Sequence, residues 1–275
     1  MLLSIKETVE KYELLAKKSL GQNFIYDENL LNKIANTSKS FDKSDNTVVE
    51  IGPGPGGLTR AILNAGFKKV IVIEKDSRCL KALNELKEHY GERLEVIEDD
   101  ALEIDLRKVA PEKSRIISNL PYNIGSVLLT NWLKDVEYFS SFTLMFQKEV
   151  ALRITAKPST SDYGRLGIIT NWLCDAKIAF DVNRMSFNPP PKVTSSIVLI
   201  KPKENLTKEV DFKTVERLTA LAFSARRKML RSSLFKHFKN ADEVFKSLDI
   251  LETLRPENLT VEQFIKLAKV MEQQK

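Results

Sequence analysis

The sequence has few of the side chains on which metal sites and nucleophilic catalysis depend. It contains two cysteines, Cys79 and Cys174, and two histidines, His89 and His237, and neither type clusters. This scarcity argues against a disulfide framework or a zinc site, and it leaves little material for Ser-His or Cys-His catalysis. We therefore expect no metal ion, and we interpret all four residues as ordinary packing or surface positions.

Long apolar runs are also absent, since none reaches the roughly 20 residues that a membrane-spanning helix needs. The first residues resemble neither a secretory signal nor a transit peptide, because they are charged from Lys6 onward and include Glu7, Glu10 and Glu13. These features predict a protein of a cytoplasm-like compartment with no membrane partner.

Acidic residues are missing from one stretch, Phe223 to Lys239, which carries six basic residues in a chain of net charge +6. We interpret this stretch as a helix whose basic face contacts RNA phosphates; a solvated basic surface is the alternative. The expected RNA contacts within it are Arg226, Arg227, Lys228 and Arg231. The residues expected to extend this surface are Lys17, Lys18, Lys148 and Arg153.

Short β-branched runs alternate with helical stretches from residue 47 onward, which is typical of a parallel sheet with helices on both faces. The runs are almost entirely apolar, as in strands buried on both sides. Two later runs, GIITNWLCD at 167–175 and AKIAFDV at 176–182, predict strands without a helix between them. From about Leu206 the pattern is helical to the end of the chain.

The stretch 48-VVEIGPGPGGLT-59 places a glycine-rich turn between a predicted strand and a predicted helix. Such a turn brings backbone N–H groups and a helix N-terminus to a nucleotide cofactor, and Gly52 and Gly54 permit the close approach. Glu74 closes the next predicted strand, where an acid can hold ribose hydroxyls. The glycine spacing also fits the GxGxxG pattern of NAD-binding proteins.

Two details favour S-adenosylmethionine over NAD. Pro53 and Pro55 lack the backbone N–H donors that a pyrophosphate would use, and the Glu50 carboxylate suits a cationic ligand better than a phosphate. Asp100 and Ala101 follow the third predicted strand, where an acid can accept hydrogen bonds from an adenine amine. These residues by themselves leave both cofactors open.

The fourth predicted strand ends in 118-SNLPYNI-124. Pro121 stiffens the turn, so the Asn119 side-chain carbonyl and the Leu120 backbone carbonyl can grip the hydrogens of an exocyclic amine and favour a pyramidal nitrogen. Tyr122 offers a ring on which an extruded base can stack. The cofactor then supplies the reactivity, and the protein supplies orientation. A plain β-turn is the alternative for this motif.

In this order, the motifs resemble those of the ribosomal RNA adenine dimethyltransferases, specifically the bacterial branch that acts on small-subunit rRNA. The resemblance covers nearly the whole chain. Its motifs are 18-KSLGQNF-24, 50-EIGPGPGGLT-59, Glu74, 99-DDA-101, 119-NLPYNI-124, 146-FQKEVALR-153 and 187-FNPPPKVTSS-196. Thr194 and the pair Gly125-Ser126 depart from the family pattern, but neither removes an expected ligand.

The resemblance implies an α/β, doubly wound, mostly parallel seven-stranded sheet of the Rossmann-like class I methyltransferases, with a smaller C-terminal all-helical domain. We expect the methyltransferase domain at 1–204 and a helical RNA-binding domain at 205–275. The implied cofactor contacts are Asn23, Ile25, Glu50, Gly52, Gly54, Glu74, Asp100, Ala101 and Asn119. The implied contacts to the target base are Asn119, Leu120, Pro121, Tyr122 and, as a second aromatic, Phe187.

The reaction implied by the resemblance is the S-adenosylmethionine-dependent dimethylation of two adjacent adenines in the 3′-terminal hairpin of small-subunit rRNA. The expected substrate is an immature ribosomal subunit, and the expected enzyme is a monomer. Three alternatives stay open. They are a large-subunit rRNA methyltransferase of the macrolide-resistance type, a ribosome-assembly or RNA-binding factor, and an NAD-dependent oxidoreductase.

Overall fold

The computed structural model describes residues 2–14, 16, 22–42, 47–204, 206 and 209–274. The chain divides into two compact units, Met1–Ala151 with Lys177–Pro202, and Leu152–Ala176 with Lys203–Lys275. Residues 152–176, which the sequence led us to expect in the first domain, therefore group with the C-terminal residues. The reason is packing, because a helix in this segment contacts two helices of the C-terminal part.

The first unit carries the sheet. Its elements in chain order are α1 (Ile5–Lys11), β1 (Phe24–Ile25), α2 (Glu28–Phe41), β2 (Val48–Ile51), α3 (Gly57–Asn64), β3 (Val70–Glu74), α4 (Ser77–Tyr90), β4 (Leu94–Glu98), α5 (Leu106–Val109), β5 (Ser114–Asn119), α6 (Gly125–Leu133), β6 (Phe139–Gln147), α7 (Lys148–Thr155), which ends in the second unit, β7 (Cys174–Val182), which begins there, β8 (Phe187–Asn188) and β9 (Ser195–Pro202).

Seven of these strands form one sheet in the order β4-β3-β2-β5-β6-β9-β7. The pairs from β4 through β6 are parallel, and β6 pairs with β9 antiparallel. Every residue of β2 and β3 is buried, as the apolar runs predict for strands covered on both sides. The doubly wound, mostly parallel α/β fold is thus confirmed. The strand order reverses between β2 and β5, and at such a reversal a crevice opens beyond the carboxyl ends of the strands.

The glycine turn after β2 fits tightly against the rest of the unit. Gly52 and Gly54 have φ values of +63° and +55°, in the left-handed region that favours glycine. A Cβ atom on Gly54 would lie 2.8 Å from Cε1 of Phe24. The turn therefore needs glycine at this position both for its backbone conformation and for the close approach of β1.

A two-residue ladder joins the N-terminal part of the unit to the segment before β9. β1 pairs antiparallel with β8, with Phe24 opposite Asn188 and Ile25 opposite Phe187. Phe24, Ile25 and Phe187 are buried. This small sheet holds residues 22–25, which we call the strap, beside the glycine turn.

The second unit is helical. Its elements are α8 (Arg165–Leu173), α9 (Phe212–Phe223), α10 (Leu230–Ser233), α11 (Ala241–Ser247) and α12 (Val261–Gln273). α12 begins with a capping box between Thr260 and Gln263, and it packs against α8 and α9. None of the helices in the described ranges has the length and apolar character that crossing a membrane requires.

The predicted strand at 167–175 is wrong, because α8 occupies most of it and only the last two residues belong to β7. A short apolar run fits a buried helix as well as a buried strand. The side-chain amide of Asn171 donates hydrogen bonds to the carbonyls of Gly167 and Ile154. A Cβ atom on Gly167 would lie 2.5 Å from the Arg153 carbonyl oxygen. Close helix packing at Gly167, invisible in the local pattern, favours the helix.

The predicted continuous helix from Phe223 to Lys239 is also wrong. α9 ends at Phe223, turns follow, and only Leu230–Ser233 and the 3₁₀ turn Phe235–His237 are helical. The backbone N–H groups of Leu230 and Arg231 donate to the carbonyls of Leu254 and Glu252 instead of continuing a helix. Hydrogen bonds to a distant segment thus replace the local ones.

Candidate active site

A cavity of about 280 Å³ opens at the carboxyl ends of β2, β3, β4 and β5, where the strand order reverses. Its size is close to the lower end of the range for small-molecule sites. All the expected cofactor residues line it, and so do four of the five expected base contacts: Asn119, which is in both sets, Leu120, Pro121 and Tyr122. The lining cofactor residues are Asn23, Ile25, Glu50, Gly52, Gly54, Glu74, Asp100, Ala101 and Asn119.

Glu74 sits at the end of β3 with both carboxylate oxygens positioned by the backbone. The Gly54 N–H donates to Oε2 at 3.0 Å, and the Asp76 N–H donates to Oε1 at 2.8 Å. Burial raises the pKa of Glu74, and these backbone donors partly offset that effect. The glycine turn and the β3 acid thus form one wall of the cavity.

Glu50 is the most strongly perturbed carboxyl in this wall. It is 2% exposed, and burial raises its pKa to about 8. The Thr59 hydroxyl, which donates to Oε2 at 2.6 Å, lowers the pKa, and the charge of Glu74 raises it. A carboxyl held in this way loses its proton most readily when a cation arrives beside it.

Asp100 lies just beyond β4, the strand next to β3, and also lines the cavity. Its Oδ1 accepts the Leu102 N–H at 3.0 Å, and its Oδ2 accepts from the Lys75 ammonium. The hydrogen bond from Lys75 lowers the pKa of Asp100, so this carboxylate stays ionised at neutral pH. It is therefore an acceptor, as the sequence predicts for a residue that contacts an adenine amine.

The strap is fastened to the cavity at Asn23. The Asn119 side-chain amide at the end of β5 donates from Nδ2 to the Asn23 carbonyl at 3.2 Å. This bond fixes the orientation of the amide and uses one of the two N–H groups on Nδ2. Its Oδ1 accepts no hydrogen bond from the described residues, so it remains available to a ligand.

A second hydrogen bond, which the sequence did not predict, holds the strap at Gln22. Its Nε2 donates to Asp76 Oδ2 at 3.0 Å, and Arg78 donates from Nε to Asp76 Oδ1 at 2.9 Å. The Arg78 hydrogen bonds lower the pKa of Asp76 to about 2, so the acceptor remains charged. Asp76 also caps α4, and an Asp immediately before a helical stretch was the signal that could have drawn attention to it.

The NLPYNI segment forms a stiff corner beside Asn119. Ser118 Oγ donates to the Ile51 carbonyl at 2.7 Å, which ties the end of β5 to the end of β2. The Gly125 N–H donates to the Pro121 carbonyl at 3.0 Å, so the turn leads directly into α6. The Tyr122 hydroxyl lies 2.5 Å from the Ser195 hydroxyl on β9. Tyr122 is thus positioned through the backbone turn at one end and through its hydroxyl at the other.

The remaining expected residues do not gather at this cavity. Phe187 is a buried residue of the β1–β8 ladder and does not line this cavity. Lys148 forms an ion pair with Asp181 at 2.6 Å, and Arg153 belongs to the second unit. Lys17 and Lys18 lie outside the described residues.

The basic stretch of the second unit is partly neutralised within that unit. Arg226 pairs with Glu257 at 2.9 Å and donates to the Ser161 carbonyl, while Arg231 pairs with Glu252 at 2.8 Å. Arg227 and Lys228 are exposed, and neither has an ion-pair partner in the described part of the chain. These two, of the four expected contacts there, are the ones whose charge is available.

A seven-stranded doubly wound sheet with this cavity at its switch point defines a class I methyltransferase. Comparison with known proteins identifies the family within this class. The family model for ribosomal RNA adenine dimethylase matches residues 13–273, and the chain belongs to that family.

Individual relatives agree. Ribosomal RNA small subunit methyltransferase A of Rhodospirillum rubrum is 47% identical over 98% of this chain and 92% of its own length. The protein of the same name from Agrobacterium fabrum is 48% identical over 97% of each chain. The crystal structure of a dimethyladenosine transferase from Plasmodium falciparum has a TM-score of 0.76 and 32% identity, covering 89% of this chain and 95% of that one.

The raised pKa of Glu50 predicts a pH-dependent stability. The folded protein keeps a proton on Glu50 up to about pH 8, whereas the unfolded chain releases it near its ordinary value of 4.5. The free energy of unfolding therefore falls as pH rises between these values and levels off above them. Glu50→Gln removes this contribution, so its urea-unfolding midpoint should fall less than that of the unsubstituted protein between about pH 5 and pH 8.5.

Glu98→Gln, at the exposed end of β4, is the matched control and should leave the pH profile unchanged. Parallel profiles for Glu50→Gln and the unsubstituted protein would show that Glu50 does not carry the proton.

Proposed function

We propose that the chain transfers methyl groups from S-adenosylmethionine to the exocyclic amines of two adjacent adenines in the 3′-terminal hairpin of small-subunit rRNA. The observation that carries the proposal is the Asn119–Tyr122 corner. It shares one cavity with Glu74 and Asp100, which would hold the ribose and the adenine of the cofactor. The relatives named as small-subunit enzymes support this substrate over large-subunit rRNA.

The charges of the cavity support a cationic cofactor without phosphates. Glu50 and Glu74 face the glycine turn, where Pro53 and Pro55 provide no N–H donors. A sulfonium and an ammonium group beside these carboxyls would favour their ionised forms, whereas a pyrophosphate would keep them protonated and would gain no electrostatic attraction from them. When bound, the cofactor supplies an electrophilic methyl group on sulfur.

The protein's own contribution is orientation of the target amine. Asn119 Oδ1 and the Leu120 carbonyl would each accept one N–H hydrogen of the adenine, which draws the nitrogen lone pair out of conjugation and towards the methyl group. With the amine held in this way, it would take the methyl group as the carbon–sulfur bond of the cofactor breaks, and the amine proton would leave for solvent. Tyr122, held by Ser195, would stack on the extruded base. No strong base is required, because the amine attacks as a neutral group.

Substrate RNA would be held through its phosphates by the second unit, with Arg227 and Lys228 as the principal contacts. Arg226 and Arg231 would contribute less to RNA binding, because their charges are paired with Glu257 and Glu252. Lys148 and Arg153 would extend the contact. We propose an immature small subunit as the substrate and a monomeric enzyme in a cytoplasm-like compartment, as the sequence predicts.

The role of Tyr122 gives a test of the proposed chemistry. Tyr122→Ala removes the stacking surface, which is worth about 1–3 kcal/mol per base, and kcat/KM for RNA should fall by roughly 5- to 150-fold. Tyr122→Phe keeps the ring and loses only the bond to Ser195, so most activity should remain. The measurement is transfer of labelled methyl groups to immature small subunits.

Calorimetric affinity for the demethylated cofactor should be little changed in both variants. If unsubstituted protein methylates no adenine of the subunit, the proposed function is wrong. If Tyr122→Ala works as well as Tyr122→Phe, the stacking role is wrong.

The division of the basic stretch into ion-paired and unpaired residues gives a second test. Arg227→Ala and Lys228→Ala should each weaken RNA binding and reduce the slope of log affinity against log salt by about 1, because each removes one phosphate contact. Arg226→Ala should instead lower the stability of the unit and change the slope less, because Arg226 is paired with Glu257. Fluorescence anisotropy over a salt series measures the slopes, and unchanged slopes for both exposed-residue variants would contradict the assignment.

A further inference from the structure

A second cavity, of about 380 Å³, lies in the first unit and shares no residue with the first. Its lining includes Tyr26, Asn183, Met185, Phe187 and Asn188. The two cavities meet at the β1–β8 ladder, because the β1 residues line the first and the β8 residues line the second. The proposed cofactor and target base would occupy the first cavity, so neither gives the second cavity a ligand.

The walls of the second cavity suit a flat, partly apolar ligand. Met185 is 70% exposed, more than any other large apolar side chain in the described residues. A thioether on an exposed turn is an adaptable contact for an aromatic ring. Tyr26 supplies an aromatic ring to the same lining, and Phe187, which also lines the cavity, is buried. A nucleobase could stack here.

The two amide side chains of the cavity are each held by one hydrogen bond and keep groups for a ligand, and Asp27 and Ser186 also line the cavity. Asn188 Nδ2 donates to the Tyr26 hydroxyl at 3.1 Å, so Asn188 Oδ1 remains an acceptor. Asn183 Oδ1 accepts the Met185 N–H at 2.9 Å, so Asn183 Nδ2 remains a donor. An amine hydrogen next to a ring-nitrogen acceptor is the pattern that adenine presents, and amide side chains commonly read it.

The distance between the cavities suits neighbouring nucleotides. Asn23, which is bonded to Asn119, and Tyr26 are three residues apart, so their Cα atoms are separated by at most about 11 Å. An unstacked dinucleotide can bridge such a gap. Arg184 and Lys192 are exposed on the same segment as the cavity lining, and neither has an ion-pair partner in the described ranges. Both are available to the phosphates on either side of the second base.

We propose that the second cavity binds the adenine adjacent to the one being methylated. The proposal rests on the proposed function and extends it, since it gives the neighbouring base a site of its own. The enzyme would then hold both adenines out of the stack together and would select a substrate with two in succession. Met185 and Tyr26 supply the stacking contacts, and Asn183 and Asn188 read the edge of the base.

The test couples a change in the protein to a change in the RNA. Fluorescence anisotropy measures binding of the full chain, with S-adenosylhomocysteine present, to the 3′-terminal hairpin with both adenines or with either one replaced by an abasic nucleotide. Removing the neighbouring base should weaken binding by roughly 5- to 150-fold. In Met185→Ala this loss should shrink by about two- to twelvefold, because one stacking contact is already missing.

Met185→Leu restores an apolar contact and should recover part of the coupling. Leu251→Ala removes a similarly exposed side chain outside both cavities and should keep the full abasic penalty of the unsubstituted protein. If the abasic penalties in Met185→Ala equal those of the unsubstituted protein at both positions, the second cavity does not bind the neighbouring base. A parallel methylation assay on immature subunits reports the proposed function separately, because the binding comparison does not require turnover.

Discussion

The site depends on one hydrogen bond, from the Asn119 amide at the end of β5 to the Asn23 carbonyl in the strap. It joins the corner that would grip the target base to the segment that borders the cofactor cavity. Since the bond uses the donor end of the amide, the acceptor end is left for the ligand. One side chain therefore helps to hold the strap, together with the β1–β8 ladder and the Gln22–Asp76 bond, and would supply the acceptor that the proposed chemistry needs.

The electrostatics of the cavity follow from where the acids lie. Burial raises the pKa values of Glu50 and Glu74, while Lys75 and Arg78 keep Asp100 and Asp76 ionised. In the proposed function, Glu50 would lie beside the cationic part of the cofactor, and Glu74 and Asp100 would accept hydrogen bonds from its ribose and adenine. The same sheet edge thus offers two kinds of carboxyl, distinguished by whether a basic side chain is bonded to them.

Much of this site could be predicted from the sequence, because its chemistry sits on strand ends that the hydrophobic pattern locates. The glycine turn and Asn119 are local signals of this kind. Non-local contacts were not predictable: α8 forms where a strand was expected because Gly167 packs closely against the Arg153 carbonyl. The acid-free stretch at 223–239 is paired with acids that are distant in sequence, such as Glu257. The Gln22–Asp76 fastening likewise joins residues 54 positions apart.

Titration calorimetry with S-adenosylhomocysteine tests the central claim most directly, when carried out on the unsubstituted protein and on Asn119→Ala. The account predicts one bound ligand per chain and roughly tenfold weaker binding in the variant, the effect of losing about one hydrogen bond that holds the site together. Equal affinity in the two proteins would contradict it, and so would binding of NAD with no heat from S-adenosylhomocysteine.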